Sequence, residues 1–313
     1  MRLSVSALLA FAAVLMAPSG SALAQPAEPG RGSAAPRELI ASEWSILITS
    51  NVRGNIEYAK GPGWTNSLDV FWPDGDGPFP VVVYYHGGGW SQGAKEDGRL
   101  FALPFLDMGF AIVNVGYRLA GTASAPAAAE DAICAARWVA ANAPKYRLDP
   151  SRMVLAGHSA GGHLALMAGL AQDNTTLAKN CSDMTAPRIA AVINYSGVTD
   201  VADLLEGSQR RPYATNWIGN QTEGGELAAL VSPINHVHRG APSVLTVHGD
   251  QDEVVPYAQA VRLHEKLQAM GVPNRLVSVR EGGHAFYDRD KTLNAHAAIE
   301  LFLMDRGLLK SRD

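Results

Sequence analysis

The stretch Met153-Val154-Leu155-Ala156-Gly157-His158-Ser159-Ala160-Gly161-Gly162 decides the fold. Its first four residues form a short apolar run bounded by a turn signal, the pattern of a strand buried on both faces. From Ala160 to Gln172 the chain continues as an apolar segment of helix length. A serine thus stands between strand and helix, flanked by Gly157 and Gly161. Glycine suits a turn so sharp that a side chain would collide with neighbouring backbone. The competing reading, a glycine-rich packing turn, does not explain the strand before it and the helix after it. In a G-x-S-x-G turn of this kind the hydroxyl of Ser159 is lifted above the sheet. The amide of Ala160 then lies at a helix N-terminus, where it faces developing negative charge.

Similar apolar runs lie on either side: Val81–Tyr85, Phe110–Val115, Ala190–Tyr195, Val244–Val247 and Leu276–Val279. Helix-length segments alternate with them at Leu100–Met108, Ala127–Ala143, Tyr257–Met270 and Thr292–Arg306. Strand–helix alternation implies right-handed crossovers, hence a parallel sheet with helices on both faces. Three shorter runs at the front, Trp44–Thr49, Gly54–Tyr58 and Ser67–Trp72, read as an antiparallel region. The polar, irregular stretch from Gly197 to Gly240 breaks the rhythm and is a candidate partial lid, since long connections are uncommon in compact domains.

On such sheets chemistry gathers at the carboxyl ends of the strands. A serine hydroxyl needs a base to act as a nucleophile. Of nine histidines, His284 stands in a glycine-flanked loop after the last apolar run, whereas His264 and His296 fall in amphipathic helices and read as surface residues. His158 and His163 flank the serine and read as supporting residues. His236 and His238 suggest a metal pair, but no third ligand with familiar spacing accompanies them. The base needs an acid to hold its tautomer. Asp250, Asp252 and Glu253 all follow the Val244–Val247 run, and periodicity does not separate the two aspartates. The order serine, acid, histidine is itself informative. After Val81–Tyr85 comes His86-Gly87-Gly88-Gly89-Trp90. Three successive glycines leave amides approachable, so Gly88 and Gly89 join Ala160 as candidate oxyanion donors. Neither G-x-x-x-x-G-K-[ST] nor G-x-G-x-x-G is present, which argues against a phosphate loop. Trp90 and Trp217 are the candidate substrate-binding side chains.

Together these motifs resemble the α/β-hydrolase superfamily. HGGGW at His86–Trp90 and GHSAGG at Gly157–Gly162 resemble the hormone-sensitive-lipase-like and BD-FAE-like esterases, as do Tyr117-Arg118-Leu119 and Asp131 between them. His248–Pro256 resembles their HGxxDxxVP acid loop, which places the acid on Asp252, and Gly282–Phe286 resembles their histidine loop. The resemblance implies an α/β-hydrolase fold with a mostly parallel eight-stranded sheet. It implies a serine carboxylesterase acting through Ser159, Asp252 and His284 without cofactor or metal, on esters such as acetyl or feruloyl esters of sugars. The polar 197–240 stretch, without a long apolar lid helix, and the bulk of Trp90 beside the oxyanion glycines predict a preference for short-chain acyl groups. Hormone-sensitive-lipase-like members carry an acidic residue where this chain has His158, and a larger N-terminal cap. Both departures favour the BD-FAE-like side. Amide hydrolysis of the arylformamidase or peptidase kind on the same triad, and a non-catalytic binding protein of the same fold, are the alternatives.

Composition agrees with a large folded domain: 313 residues, 47% hydrophobic and 18% charged. A net charge of −4 argues against a nucleic-acid binder. Residues 1–24 pair one basic residue, Arg2, with an apolar run Ala7–Ala17 and end Ala22-Leu23-Ala24, the pattern of a secretory signal. The run is about half the roughly 20 residues that span a bilayer, so no stable membrane anchor is expected. The expectation is an exported, periplasmic or secreted protein, with residues 25–40 a flexible leader and 41–313 a single catalytic domain. Cys134 and Cys181 are the only cysteines. Two separate thiols are the default expectation for them, because sequence does not show whether their Cα atoms come within about 7 Å.

Overall fold

The computed structural model describes residues 51–219, 224–284 and 288–309. The segments expected as signal, leader and first strand (Trp44–Thr49), together with Asn220 and Phe286, lie outside the described residues.

Eight strands form one sheet: β1 (Asn51–Gly61), β2 (Trp64–Trp72), β3 (Phe79–Tyr85), β4 (Ala111–Val115), β5 (Leu148–His158), β6 (Ile189–Tyr195), β7 (Ser243–Gly249) and β8 (Asn274–Val279). Their spatial order is β1-β2-β4-β3-β5-β6-β7-β8. β2 runs antiparallel to both its neighbours, and every pair from β4 to β8 is parallel. β1 and β2 are longer than the apolar runs that announced them. Gly63, at φ +79°, supports the tight turn that lets the two strands pair along their whole length.

The β-branched run of β3 is buried throughout its centre and alternates between two cores. Val81, Val83 and Tyr85 face one, while Val82 and Tyr84 face the other. The first core receives α2 (Ala127–Asn142), α3 (Ala160–Leu170) and α6 (Tyr257–Ala269), through residues such as Ile133, Leu164 and Leu263. The second receives α1 (Arg99–Asp107) and α7 (Arg289–Asp305), through Phe105, Ile299 and Phe302. α3 lies at the centre with every residue buried, so it shows no amphipathic stripe. α7 starts on Asp288, whose carboxylate accepts the amide of Lys291. Among the described residues no helix is long and apolar enough to cross a membrane.

Two expectations are corrected here. Cys134 and Cys181 form a disulfide, with Cα atoms 5.5 Å apart. The cause is visible one turn along α2. Arg137 donates to the carbonyls of Gln172, Met184 and Cys181, and so folds the loop after α3 back over α2. Sequence spacing carries no trace of that clamp. His264, expected at the surface, is buried and its ring Nδ1 lies 2.8 Å from Asn274 Oδ1. Its side of α6 is covered by the start of β8.

The 197–240 stretch contains two seven-residue helices, α4 (Pro212–Ile218) and α5 (Gly224–Leu230). Each is too short to impose a visible 3.6-residue period on the sequence. The stretch is fastened to the body at separate points. Ala125 N–H donates to Trp217 O, and Thr199 N–H to the side-chain oxygen of Gln259 on α6.

Candidate active site

β5 ends at His158 and α3 begins at Ala160, so a single residue turns the chain. That residue is Ser159, at φ +56° and ψ −120°. A left-handed φ in a non-glycine residue persists only where the surroundings enforce it. Here Ser159 N–H donates to Tyr195 O at 2.8 Å, and its carbonyl accepts His163 N–H at 3.0 Å. The flanking glycines are sterically required. A Cβ on Gly161 would overlap Tyr85 O, and one on Gly157 would overlap Gly161 O.

The three strand-end loops converge. His284 Nε2 lies 2.9 Å from Ser159 Oγ, and its Nδ1 lies 2.8 Å from Asp252 Oδ2. With Nδ1–H donating to the carboxylate, Nε2 is the free acceptor that faces the hydroxyl. Asp252 is itself held. Its Oδ1 accepts the amides of Val254 and Val255, each at 2.9 Å. Burial works to raise the Asp252 carboxyl, but it is outweighed. Hydrogen bonds from His248 and His284, the attraction of the His284 ring and the Val255 amide hold the carboxyl below the usual carboxylate range. Asp250 and Glu253, the competing acids, are exposed.

His248 was counted in the sequence but given no role. It is fully buried, with Nε2 3.2 Å from Asp252 Oδ2 and 3.0 Å from Val255 O. Its place at the head of the acid loop was the available signal. His158 packs its ring on Phe101 at 4.8 Å and against His284 at 5.0 Å. Burial, and then the His284 charge, push it down to about 3. It therefore stays uncharged beside the ring that must accept a proton.

Gly88 at φ +117° and Gly89 at φ +58° curl the loop after β3 towards the elbow. A Cβ on Gly88 would overlap Gln92 O. Among the described residues the amides of Gly88 and Gly89 donate to no protein acceptor. With Ala160 at the start of α3 they border a cleft of ≈ 400 Å³. Trp90, Val198 and Tyr213 wall its inner part, and Ser91, Gln92 and Val254 form an exposed rim. Tyr213 was missed from sequence. It lies over Gly89 and its hydroxyl donates to Val254 O at 2.9 Å, bridging the oxyanion loop and the acid loop.

The two tryptophans are placed differently. Trp90 lines the cleft, whereas Trp217 is fully buried behind it, stacked at 4.1 Å and 13°. Trp217 therefore supports Trp90 and is not part of the cleft wall. Among the described residues no group of three His, Cys, Asp or Glu side chains could hold a metal. His236 instead places Nε2 2.7 Å from Leu230 O.

The BD-FAE family model matches residues 68–267, more than half of the 313 residues. The chain belongs to the BD-FAE family. A second model, described as TAP-like protein, matches residues 228–311. This BD-FAE member is 29% identical over 234 residues to Esterase LipC of Mycobacterium tuberculosis, covering 72% of this chain and 58% of that protein. It spans between 56% and 62% of the length of four such curated relatives. Two solved structures share its α/β-hydrolase fold at TM-score 0.70. One is a truncated carbohydrate esterase from gut microbiota, 24% identical, covering 82% of this chain and 96% of that one. The other is the propionate-bound esterase Est2 of Thermogutta terrifontis, 23% identical, covering 85% and 97%.

Proposed function

We propose that the protein is a serine carboxylesterase that cleaves short-chain acyl esters, with acetyl or feruloyl esters of sugars as the natural substrate class. The observation that carries this reading is the chain of contacts from Ser159 through His284 to Asp252, at 2.9 and 2.8 Å. His284 takes the Ser159 proton as the oxygen attacks the ester carbonyl. The oxyanion is stabilised by the amides of Gly88, Gly89 and Ala160, where loss of one such donor typically costs about 10²–10³ in turnover. His284 then gives its proton to the leaving alcohol, and an acyl-enzyme remains on Ser159 Oγ. A water molecule, deprotonated by His284, releases the acid and restores the serine. Besides that water, the proposed reaction uses these side chains and amides.

Short acyl preference is supported by the bulk of Trp90 and Tyr213 at the inner wall. Each buried methylene contributes at most about 0.8 kcal/mol, and a closed wall forgoes that gain with every added carbon. The propionate bound to the Thermogutta esterase, and the gut-microbiota neighbour's being a carbohydrate esterase, support the same reading. Export to the periplasm or medium fits the Cys134–Cys181 bond, since disulfides persist in oxidising compartments. The test is kcat/KM across p-nitrophenyl esters from acetate to palmitate, followed by acetylated xylan and feruloyl esters. A maximum at two to four carbons is expected, with Ser159→Ala losing turnover by several orders of magnitude. A maximum at eight carbons or more, or activation at a lipid interface, would make the protein a lipase instead.

A further inference from the structure

An oxyanion hole assembled from two chain segments raises a question of alignment. Gly88 and Gly89 stand on the loop after β3, whereas Ala160 stands on α3. Their amides must agree to within a fraction of an ångström to hold one oxygen. Among the described residues, one side-chain hydrogen bond runs directly between the two segments. Trp90, next to Gly89, donates its indole N–H to His163 Nδ1 at 3.2 Å. His163 lies on α3, and its own amide is bonded to Ser159 O.

The surroundings of this contact are built for it. Trp90 and His163 are both fully buried. Trp90 holds φ +58°, a left-handed conformation that only an over-determined site maintains in a residue of this size. Trp217 stacks on one face of its ring and meets the edge of His163 at 5.2 Å. His163 Nε2 lies 2.7 Å from Val231 O, which accepts only if Nε2 carries the proton. That contact leaves Nδ1 as the lone-pair side facing Trp90. Burial holds His163 down to about 4, so the ring is the neutral acceptor wherever an esterase works.

We infer that His163 is a positioning residue for the oxyanion hole. Its Nδ1 fixes Trp90, and through Trp90 the amides of Gly88 and Gly89, relative to Ser159 and Ala160. The Val231 carbonyl acts one step further out by selecting the tautomer. The inference rests on the proposed catalytic roles of those residues, so wild-type ester turnover is measured first. Absence of turnover would remove the functional reading itself.

Three substitutions separate the two ring nitrogens. In His163→Asn the side-chain oxygen falls near the position of Nδ1 and keeps an acceptor for Trp90. In His163→Gln the amide reaches the position of Nε2 and keeps only the contact to Val231. His163→Phe keeps neither. With p-nitrophenyl acetate, His163→Asn is expected to retain kcat within about 3-fold. Gln and Phe are expected to lose about 10- to 100-fold, less than a deleted donor because the amides are displaced and not removed. KM should change by less than about 2-fold, since the contact acts on the charged oxygen. Trp90→Phe should lose as much as His163→Phe, and the double variant no more than either single one.

Thermal unfolding of each variant keeps the result readable. A purely structural histidine would order kcat along Tm, would make the two losses multiply, or would leave Asn no better than Gln. Any of these overturns the inference. Hydrogen exchange of the Trp90 indole supplies a reading independent of activity. It should quicken in the Gln and Phe variants and stay slow in Asn, and equal exchange in all three would also overturn it.

Discussion

Between Gly157 and Gly161 the chain holds Ser159 by backbone alone. Glycines make room where a Cβ would overlap carbonyl oxygens, and two main-chain hydrogen bonds pin the turn. Across the cleft, the 197–240 stretch is held in the opposite way. Its helices α4 and α5 are short, and besides the main-chain bond from Ala125 to Trp217 O its place is set through side chains: Trp217 stacked under Trp90, Tyr213 on the Val254 carbonyl, and the Val231 carbonyl on His163. The first region is specified by what its own residues exclude, and the second by what distant residues accept. The elbow therefore tolerates almost no substitution at its glycines. The covering stretch depends on a few anchors among many free positions.

The sharpest break in this comparison lies in the acid loop, which belongs to the backbone-held kind. Asp252→Asn keeps the shape but removes the acceptor that sets the His284 tautomer. A loss in kcat of about 10⁴-fold is expected, by analogy with the same change in a serine protease triad. Asp250→Asn, at an exposed position, should leave kcat within about 2-fold. Steady-state kinetics on a chromogenic acetyl ester checks both. The reverse ranking would move the acid to Asp250.

Trp217→Ala tests the anchored kind. Trp217 is fully buried, and truncating a buried tryptophan costs about 3–5 kcal/mol. Urea unfolding should show a loss of that size. A loss below about 1 kcal/mol would mean that the stretch is not fastened through this ring.

The smallest expected effect concerns acid. His158 and His163 stay uncharged in the folded protein down to about 3 and about 4. In the unfolded chain both titrate near the ordinary value of about 6.5. The unfolded state therefore binds more protons between those values, and stability falls as pH drops from about 6.5 towards 4. Each histidine contributes a slope of at most about 1.4 kcal/mol per pH unit. Replacing His163 by Asn should flatten the slope, and urea midpoints measured at several pH values read it. An unchanged slope would mean that His163 is charged in the fold.

The same contrast explains what could be read from the chain before its structure was known. β3, β5 and the elbow were legible because buried β-branched runs and glycine sterics are local properties. Ser159 and His284 followed from their places at strand ends. Asp252 did not follow from local pattern, which left it level with Asp250. A family resemblance favoured it, and in the fold it is the buried acid that touches His284. Trp217 was assigned to the cleft because a tryptophan in a polar stretch invites that reading. Its actual seat depends on a partner 127 positions earlier in the numbering, Trp90. The Cys134–Cys181 bond was missed for the same reason, since Arg137 and three distant carbonyls bring the thiols together. Tyr213 acts through contacts with other loops, and nothing in its immediate neighbours announces this, whereas His248 acts on Asp252 and Val255 of its own loop, where its position was the available signal.

That disulfide closes a ring of chain around the nucleophile. Its two ends are 47 positions apart, and Ser159 lies between them. The exposed bonds on the far side of the ring, around Thr175, Thr176 and Lys179, are where a protease would gain access. A cut there releases no fragment. The piece carrying Ser159 stays covalently joined to the piece carrying Asp252 and His284. The nicked chain runs as one band on a non-reducing gel and as two after reduction. A break in the main chain there leaves the three proposed reacting side chains tied to one another.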